Sequence, residues 1–277
     1  TASGVNSMES NTTGASNVAM GMNALTANTT GNNNTAVGAT AGAAITTGSS
    51  NTAVGQNSLQ ATTTTSNNTA LGLNSLYTNT GSNNTGLGMN TLVVNTTASN
   101  NTAVGYQSLA ANTTGTNNTG LGLNALKANT TGSFNTAVGI DAGCTLTTGA
   151  NVTTIGRNAQ PSSATVNDEF TLGDTNVTAI RAQVTSITAI SDKRDKSNIC
   201  DLNVGLDFIN DLKPVTFDWT MRDGSKKGKK DVGFIAQDLD EVQQKYNIEE
   251  NLQLILKTNP DRLEATQGKL IPILVQA

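Results

Sequence analysis

The chain has 277 residues, of which 16 are Lys or Arg and 20 Asp or Glu, giving a formal net charge of -4; it has no histidine and is 3% aromatic. With no basic excess and few aromatics, it lacks both a phosphate-tracking surface and a base-stacking platform, which excludes nucleic acid as a partner. No run of about 18 apolar residues occurs, so no segment is expected to enter a membrane, and nothing in the sequence calls for a metal or a cofactor.

The charges are unevenly placed. Eight lie in residues 1–190 and the other 28 in 191–277, although each part carries a net charge of -2. That split favours two physical objects over one: a shaft over 1–173, a transition segment over 174–190 and a small domain over 191–277. The first residue is Thr and no signal-like start is present, which implies that sequence precedes it. Cys144 and Cys200 fall in different segments and read as two unrelated thiols.

From the N-terminus, the shaft is marked by Gly21, Gly38, Gly55, Gly72, Gly88, Gly105, Gly122, Gly139, Gly156 and Gly173. Each is seventeen residues from the next except for one step of sixteen between Gly72 and Gly88. A period kept over ten copies is the signature of a repeat architecture. Each copy approximates Asn-Thr-Ala-Val-Gly-x-Asn-Ala-Leu-x-x-Asn-Thr-Thr-Gly-x-Asn. The residue before the glycine is always apolar, and a Leu usually follows four residues after it, with breaks at Gly42, Gly143 and Gln160.

Two apolar residues per period are too few for an amphipathic helix. Short strands joined by Asn-Thr-Thr-Gly turns suit the pattern, with Thr and Val on one strand face and the small Ala or Gly on the other. Stacking identical coils would put Val on Val and Leu on Leu as continuous core columns, and Asn on Asn as hydrogen-bond ladders. The fold class expected is mainly β: a parallel β-solenoid or β-roll shaft, about 50 Å long at ~4.8 Å per coil, followed by a small α+β domain. The small Ala/Gly face is expected to pack closely against another copy, making a homo-oligomer that covers open edges. The many Asn-x-Thr sequons read as ladder asparagines rather than glycosylation sites.

The repeat over 17–173 resembles the heads of trimeric autotransporter adhesins and the shafts of viral tail fibres, which carry similar Asn-x-Ala-Val-Gly columns. That resemblance implies a homotrimeric projection that touches other cells. An ice-binding solenoid is a competing idea, because Thr35, Thr52, Thr69, Thr85, Thr102, Thr119 and Thr136 could form a flat array; it leaves the last third of the chain unexplained.

After Pro161 the repeat fades, and Phe170-Thr171-Leu172-Gly173 gives a last coil. Residues 177–190 are rich in β-branched side chains and read as strands leading to Ser191. Gly205 to Leu212 reads as a short amphipathic helix stopped by Pro214, Val215 to Trp219 as a half-buried strand, and Arg222 to Lys230 as a basic loop. Val232 to Gln237 reads as a second strand leading into a helix through Tyr246. The run from Leu270 to Ala277 reads as the start of a helix, with Pro272 in its first turn, that continues past residue 277.

Three groups of residues here resemble the C-terminal intramolecular chaperone of endosialidases and other viral tail fibres and spikes. They are Ser191-Asp192-x-Arg194-x-Lys196, then Gly205 onward through Pro214-Val215-x-Phe217-x-Trp219, then Gly233-Phe234-Ile235-Ala236-Gln237-Asp238. The resemblance covers about 188–277 and implies a module that trimerises, aligns three fibre chains and cuts itself off before the motif serine. On it, Ser191 is the nucleophile, Lys196 the base, and the scissile bond joins Ile190 to Ser191; Asp192, Arg194, Pro214, Trp219, Gly233, Ile235, Ala236 and Gln237 are chaperone motif positions.

The chemistry also has its own logic. A serine can attack the carbonyl of its preceding residue through a five-membered ring, and without histidine a lysine is the available base. The function that these resemblances imply is a viral fibre or spike for host attachment, made in the host cytoplasm and carried on the virion. It would contact other virion proteins and a host receptor that the sequence does not name. The peptidase would turn over once, and the shaft, poor in acids, lacks the paired carboxylates of a glycosidase. The alternatives are the same fibre with a retained, non-cleaving chaperone, or a cellular adhesin or ice-binding solenoid.

Overall fold

The computed structural model describes residues 1–177, 179–181, 191–220, 227–257 and 263–277. Contacts divide the chain into two units, Thr1–Asp174 and Thr175–Ala277.

The first unit is a parallel β-solenoid. Its strands are β1 (Ala2–Ser3), β2 (Val18–Met20), β3 (Thr35–Val37), β4 (Thr52–Val54), β5 (Thr69–Leu71), β6 (Thr85–Leu87), β7 (Thr102–Val104), β8 (Thr119–Leu121), β9 (Thr136–Val138), β10 (Thr153–Ile155) and β11 (Phe170–Leu172). They form one sheet in chain order, each pairing in parallel with the next. Register puts equivalent residues side by side, as in Thr102↔Thr119 and Val104↔Leu121. Strand β1 adds a turn before the first glycine of the series; Gly4, seventeen residues before Gly21, belongs to the same column. The sixteen-residue step is absorbed in a corner, where Asn79-Thr80-Gly81 has one Thr fewer than the usual turn while Thr69 and Thr85 stay paired.

The core differs from the expected one. Val was assigned to the interior and the Ala/Gly face to contact with a neighbour, but the middle strand residues are the buried ones: Ala19, Ala36, Ala53, Ala70, Ala103 and Ala137, with Gly86, Gly120 and Thr154 at the same position. The alanines pack against the Leu column, Leu25, Leu59, Leu76, Leu92, Leu109 and Leu126. A coil this narrow has room inside for a methyl group from the strand once the Leu from the opposite wall has entered. The larger Val, Leu or Met before each glycine is therefore turned outward.

The Leu residues sit in left-handed backbone, with φ 49° at Leu25 and 51° at Leu109. That conformation costs roughly 1–2 kcal/mol for a residue with a Cβ. Complete burial of a leucine returns roughly 1.5–3 kcal/mol, so packing holds the strained backbone in place. At the repeat glycines the constraint is absolute contact as well as dihedral: Gly105 has φ 116°, and a Cβ there would lie 2.6 Å from the Gly122 carbonyl oxygen.

Buried asparagines form a hydrogen-bonded ladder along the coil. Asn118 N donates to Asn101 Oδ1 at 2.9 Å, and Asn101 Nδ2 donates to Gly115 O at 2.9 Å. The same pattern climbs through Asn17, Asn34, Asn51, Asn68, Asn84, Asn101, Asn118 and Asn135. It ends at Val152, whose amide takes the last acceptor at 2.9 Å. Seventeen residues further, Glu169 accepts from the Ser162 and Thr171 hydroxyls.

The second unit is a small α+β assembly. It contains a 3-10 turn (Lys193–Asp195), α1 (Leu206–Asp211), β12 (Val215–Asp218), β13 (Lys230–Gly233), α2 (Ala236–Lys245), α3 (Glu249–Leu252), β14 (Ile255–Leu256), β15 (Glu264–Ala265), a second 3-10 turn (Gln267–Leu270) and α4 (Ile271–Gln276). Phe208, Leu239, Leu252, Leu254, Leu270 and Ile273 are among its core residues. The strands expected within 177–190 fall largely outside the described residues; Val177 and 179–181 carry no strand. Most of the expected basic loop also lies outside them, and Lys230, placed in that loop from sequence, opens β13 because it pairs with Asp218. Among the described residues, no helix is long and apolar enough to cross a membrane.

Candidate functional site

The turn at Ser191–Lys196 is built from its own residues. Asp192, in extended backbone with φ -73° and ψ 136°, caps the 3-10 turn by accepting from the Arg194 amide at 2.9 Å. Its carboxylate also takes the Arg194 guanidinium, with Nη2 to Oδ2 at 2.6 Å. Those hydrogen bonds hold the Asp192 carboxyl below the usual carboxylate range and push the Arg194 guanidinium up. The Lys196 amide closes the turn onto the Lys193 carbonyl at 3.2 Å.

One 3-10 turn brings residue 196 back over residue 191. Lys196 Nζ donates to Ser191 Oγ at 2.6 Å, and both side chains are exposed. The pair is within proton-transfer distance of a serine hydroxyl. Ile190, the other side of the candidate scissile bond, lies outside the described residues.

The remaining motif positions form a separate hairpin and its exit. Pro214 lies in the short link between α1, whose C-cap is Leu212, and β12, which starts at Val215. Val215 pairs with Gly233 across the hairpin, and Phe217 with Asp231. Phe217 and Trp219 meet edge to face at 5.1 Å between centroids, and Trp219 Nε1 donates to Asp231 Oδ2 at 3.1 Å. Ile235, in extended backbone, precedes Ala236 and Gln237, the first residues of α2. They lie in the hairpin and at the start of α2, whereas the serine and the lysine are brought together by the local turn.

A third arrangement was missed from sequence. The Asp211 carboxylate at the end of α1 accepts from Lys245 Nζ at 2.6 Å and from Tyr246 Oη at 2.7 Å, tying α1 to the end of α2. The Phe208 ring meets the Tyr246 ring edge to face at 5.3 Å beside it. Residues 34 and 35 positions apart give no spacing signal, so only the packing of the two helices reveals them. Among the described residues, no group of three or more His, Cys, Asp or Glu could hold a metal ion.

Compared with known proteins, residues 191–251 match the family described as chaperone of endosialidase, Peptidase_S74. The match opens on Ser191 and spans the 3-10 turn, the hairpin and α2. No curated protein and no solved structure matches the chain. The C-terminal unit thus carries a region similar to endosialidase chaperones, in a chain whose first unit is a parallel β-solenoid.

Proposed function

We propose that the chain is a trimeric viral fibre or spike for host attachment, carried on the virion, whose C-terminal unit aligns three copies for folding and then releases itself by cutting the Ile190–Ser191 bond. The observation that carries this reading is the 2.6 Å contact between Lys196 Nζ and Ser191 Oγ at the first residues of the chaperone match. The shaft supports it as well. Long parallel registers close slowly and expose edges during folding, so an attached aligning module has work to do.

In the proposed reaction the Lys196 amine, in its neutral form, takes the Ser191 hydroxyl proton, and Oγ attacks the carbonyl carbon of residue 190. The C–N bond breaks, the Ser191 nitrogen leaves as an amine after gaining a proton, and an ester joins residue 190 to Oγ. Water then hydrolyses the ester, freeing a carboxylate at Ile190 and restoring the Ser191 hydroxyl. Packing of neighbouring copies over this exposed turn would exclude water from it and time the cut after assembly.

Mass spectrometry of the purified full-length chain tests this directly. New termini at Ile190 and Ser191 are expected, with Ser191→Ala leaving an intact chain that still assembles. An intact wild type after assembly at neutral pH would instead mark the unit as a retained chaperone.

A further inference from the structure

The shaft leaves one apolar surface uncovered by its own fold. The residues immediately before and after each repeat glycine form two columns on the outside of the coil. Met20 and Met22 are 49% and 54% exposed, Leu71 and Leu73 53% and 39%, and Leu121 and Leu123 45% and 42%. Parallel register stacks these steps on one another, as in Met20↔Val37 and Val104↔Leu121. From Met20 to Ile155 neither column contains a charged residue; Gln56 is the polar interruption, and Arg157 marks the end.

We infer that this stripe, and not the Ala/Gly face, is the seam along which a second copy of the same chain docks, in parallel and in register. The inference rests on the multi-copy reading above and names the surface that reading requires. Nine strands span eight spacings of ~4.8 Å, and with a width of about four extended residues, about 13 Å at ~3.3 Å each, the stripe is about 500 Å² per chain. That is at the upper end for an apolar patch on a monomer, roughly 300–600 Å². Paired with a copy of itself, it buries about 1,000 Å², near the threshold for a specific contact.

Register chooses the occupant. In a parallel pair every step meets its own equivalent, so Gln56 meets Gln56 and each amide can donate and accept. An antiparallel copy, or an unrelated apolar partner, would leave that amide desolvated against hydrocarbon. The marginal area also agrees with a shaft that needs a separate module to bring its copies together.

The test uses the full chain with Cys144→Ser and Cys200→Ser. Gln56→Cys on the stripe should form inter-chain disulfides on mild oxidation at least tenfold faster than Asn117→Cys, which is exposed on another corner. Independently, Leu71→Glu with Leu121→Glu should sediment as a monomer while keeping the β-sheet circular dichroism of the parent. If the wild type is an oligomer and Gln56→Cys links no faster than Asn117→Cys, the stripe is not the seam. A Leu71→Glu, Leu121→Glu protein that stays oligomeric overturns it equally. A wild type that sediments as a monomer overturns the multi-copy reading itself. Should the glutamate variant fail to fold, the cysteine comparison alone decides.

Discussion

Ile45 fills the space that Gly42 leaves open. Gly42 stands where most coils place the core leucine, and a Cβ there would lie 3.0 Å from Ile45 Cδ1 and 3.1 Å from Leu25 Cδ2. Ile45 in turn stands where the preceding coils place Asn11 and Asn28 and the next coil Thr62, and it is fully buried. The same exchange recurs six coils later with Gly143 and Leu146. Each exchange has a polar consequence. In intact coils the asparagine donates downward, as Asn112 Nδ2 does to Asn95 Oδ1 at 2.8 Å. Below Ile45 and Leu146 no such donor exists, and Asn28 Oδ1 and Asn129 Oδ1 are left buried without a partner.

The exchange is a coupled pair, which a double-mutant cycle should expose. Gly42→Leu alone overfills the coil and should cost about 1–3 kcal/mol. Ile45→Asn alone opens a hole and should cost about 2–4 kcal/mol, less what the new donor returns to Asn28. Together they rebuild the regular coil, so the double variant should lie at least ~1 kcal/mol above the sum of the singles. Guanidinium melts of the four proteins measure this, and additive losses would contradict it.

This pair also shows what sequence could and could not reveal. The seventeen-residue period, the parallel sheet and the Asn ladders follow from spacing and residue type, because stacking forces like onto like. Gly42 and Gly143 read from sequence as defects in the Leu column. Their compensation three residues later is invisible until Ile45 and Leu146 are seen to turn inward. The inside-outside assignment of Ala and Val failed for a related reason. Alternation tells which residues share a face, whereas the cross-section of a closed coil decides which face is inside, and that depends on the Leu arriving from the opposite wall. In the C-terminal unit the Ser191–Lys196 pair was legible through the motif's resemblance to the endosialidase chaperone, since a Ser and a Lys five residues apart are a weak signal by themselves. Asp211 with Lys245 and Tyr246 was not, since two helices must first pack.

Asp211 gives the C-terminal unit a predictable response to acid. The hydrogen bond from Lys245, and then that from Tyr246, hold its carboxyl below the usual carboxylate range. A depressed carboxyl contributes stability that is present above its unfolded value, about 3.9, and is lost as pH falls through the folded value. Lys245 and Tyr246 are both pushed up, chiefly by their hydrogen bonds to Asp211, so their share is lost as pH rises through their folded values in the alkaline range. The unit should therefore melt lower at pH 3 than at pH 7, and Asp211→Asn should shrink that difference. Thermal melts of both proteins across pH 3–7 check it; an unchanged difference would remove Asp211 from the account.

Lys196 can serve the Ser191 hydroxyl in two ways, and a single substitution separates them. Its Nζ lies 2.6 Å from Oγ, where it can position the hydroxyl by donating a hydrogen bond or act as the base that takes the hydroxyl proton. Arginine retains the positive charge and can donate a hydrogen bond, but it does not deprotonate in proteins. Lys196→Arg should therefore preserve the turn that Asp192 and Arg194 organise, and preserve assembly, while slowing cleavage before Ser191 by at least ~100-fold, as expected for loss of a general base. If positioning alone mattered, the arginine variant would cut at a rate within a few-fold of wild type while Lys196→Ala would not. The rates are read by intact-mass spectrometry of samples quenched at intervals after assembly begins. Ser191→Ala serves as the zero, and sedimentation of each variant confirms that copies have assembled. Equal cleavage by the arginine variant and the wild type would leave Lys196 as an anchor for the hydroxyl and require the base to come from elsewhere.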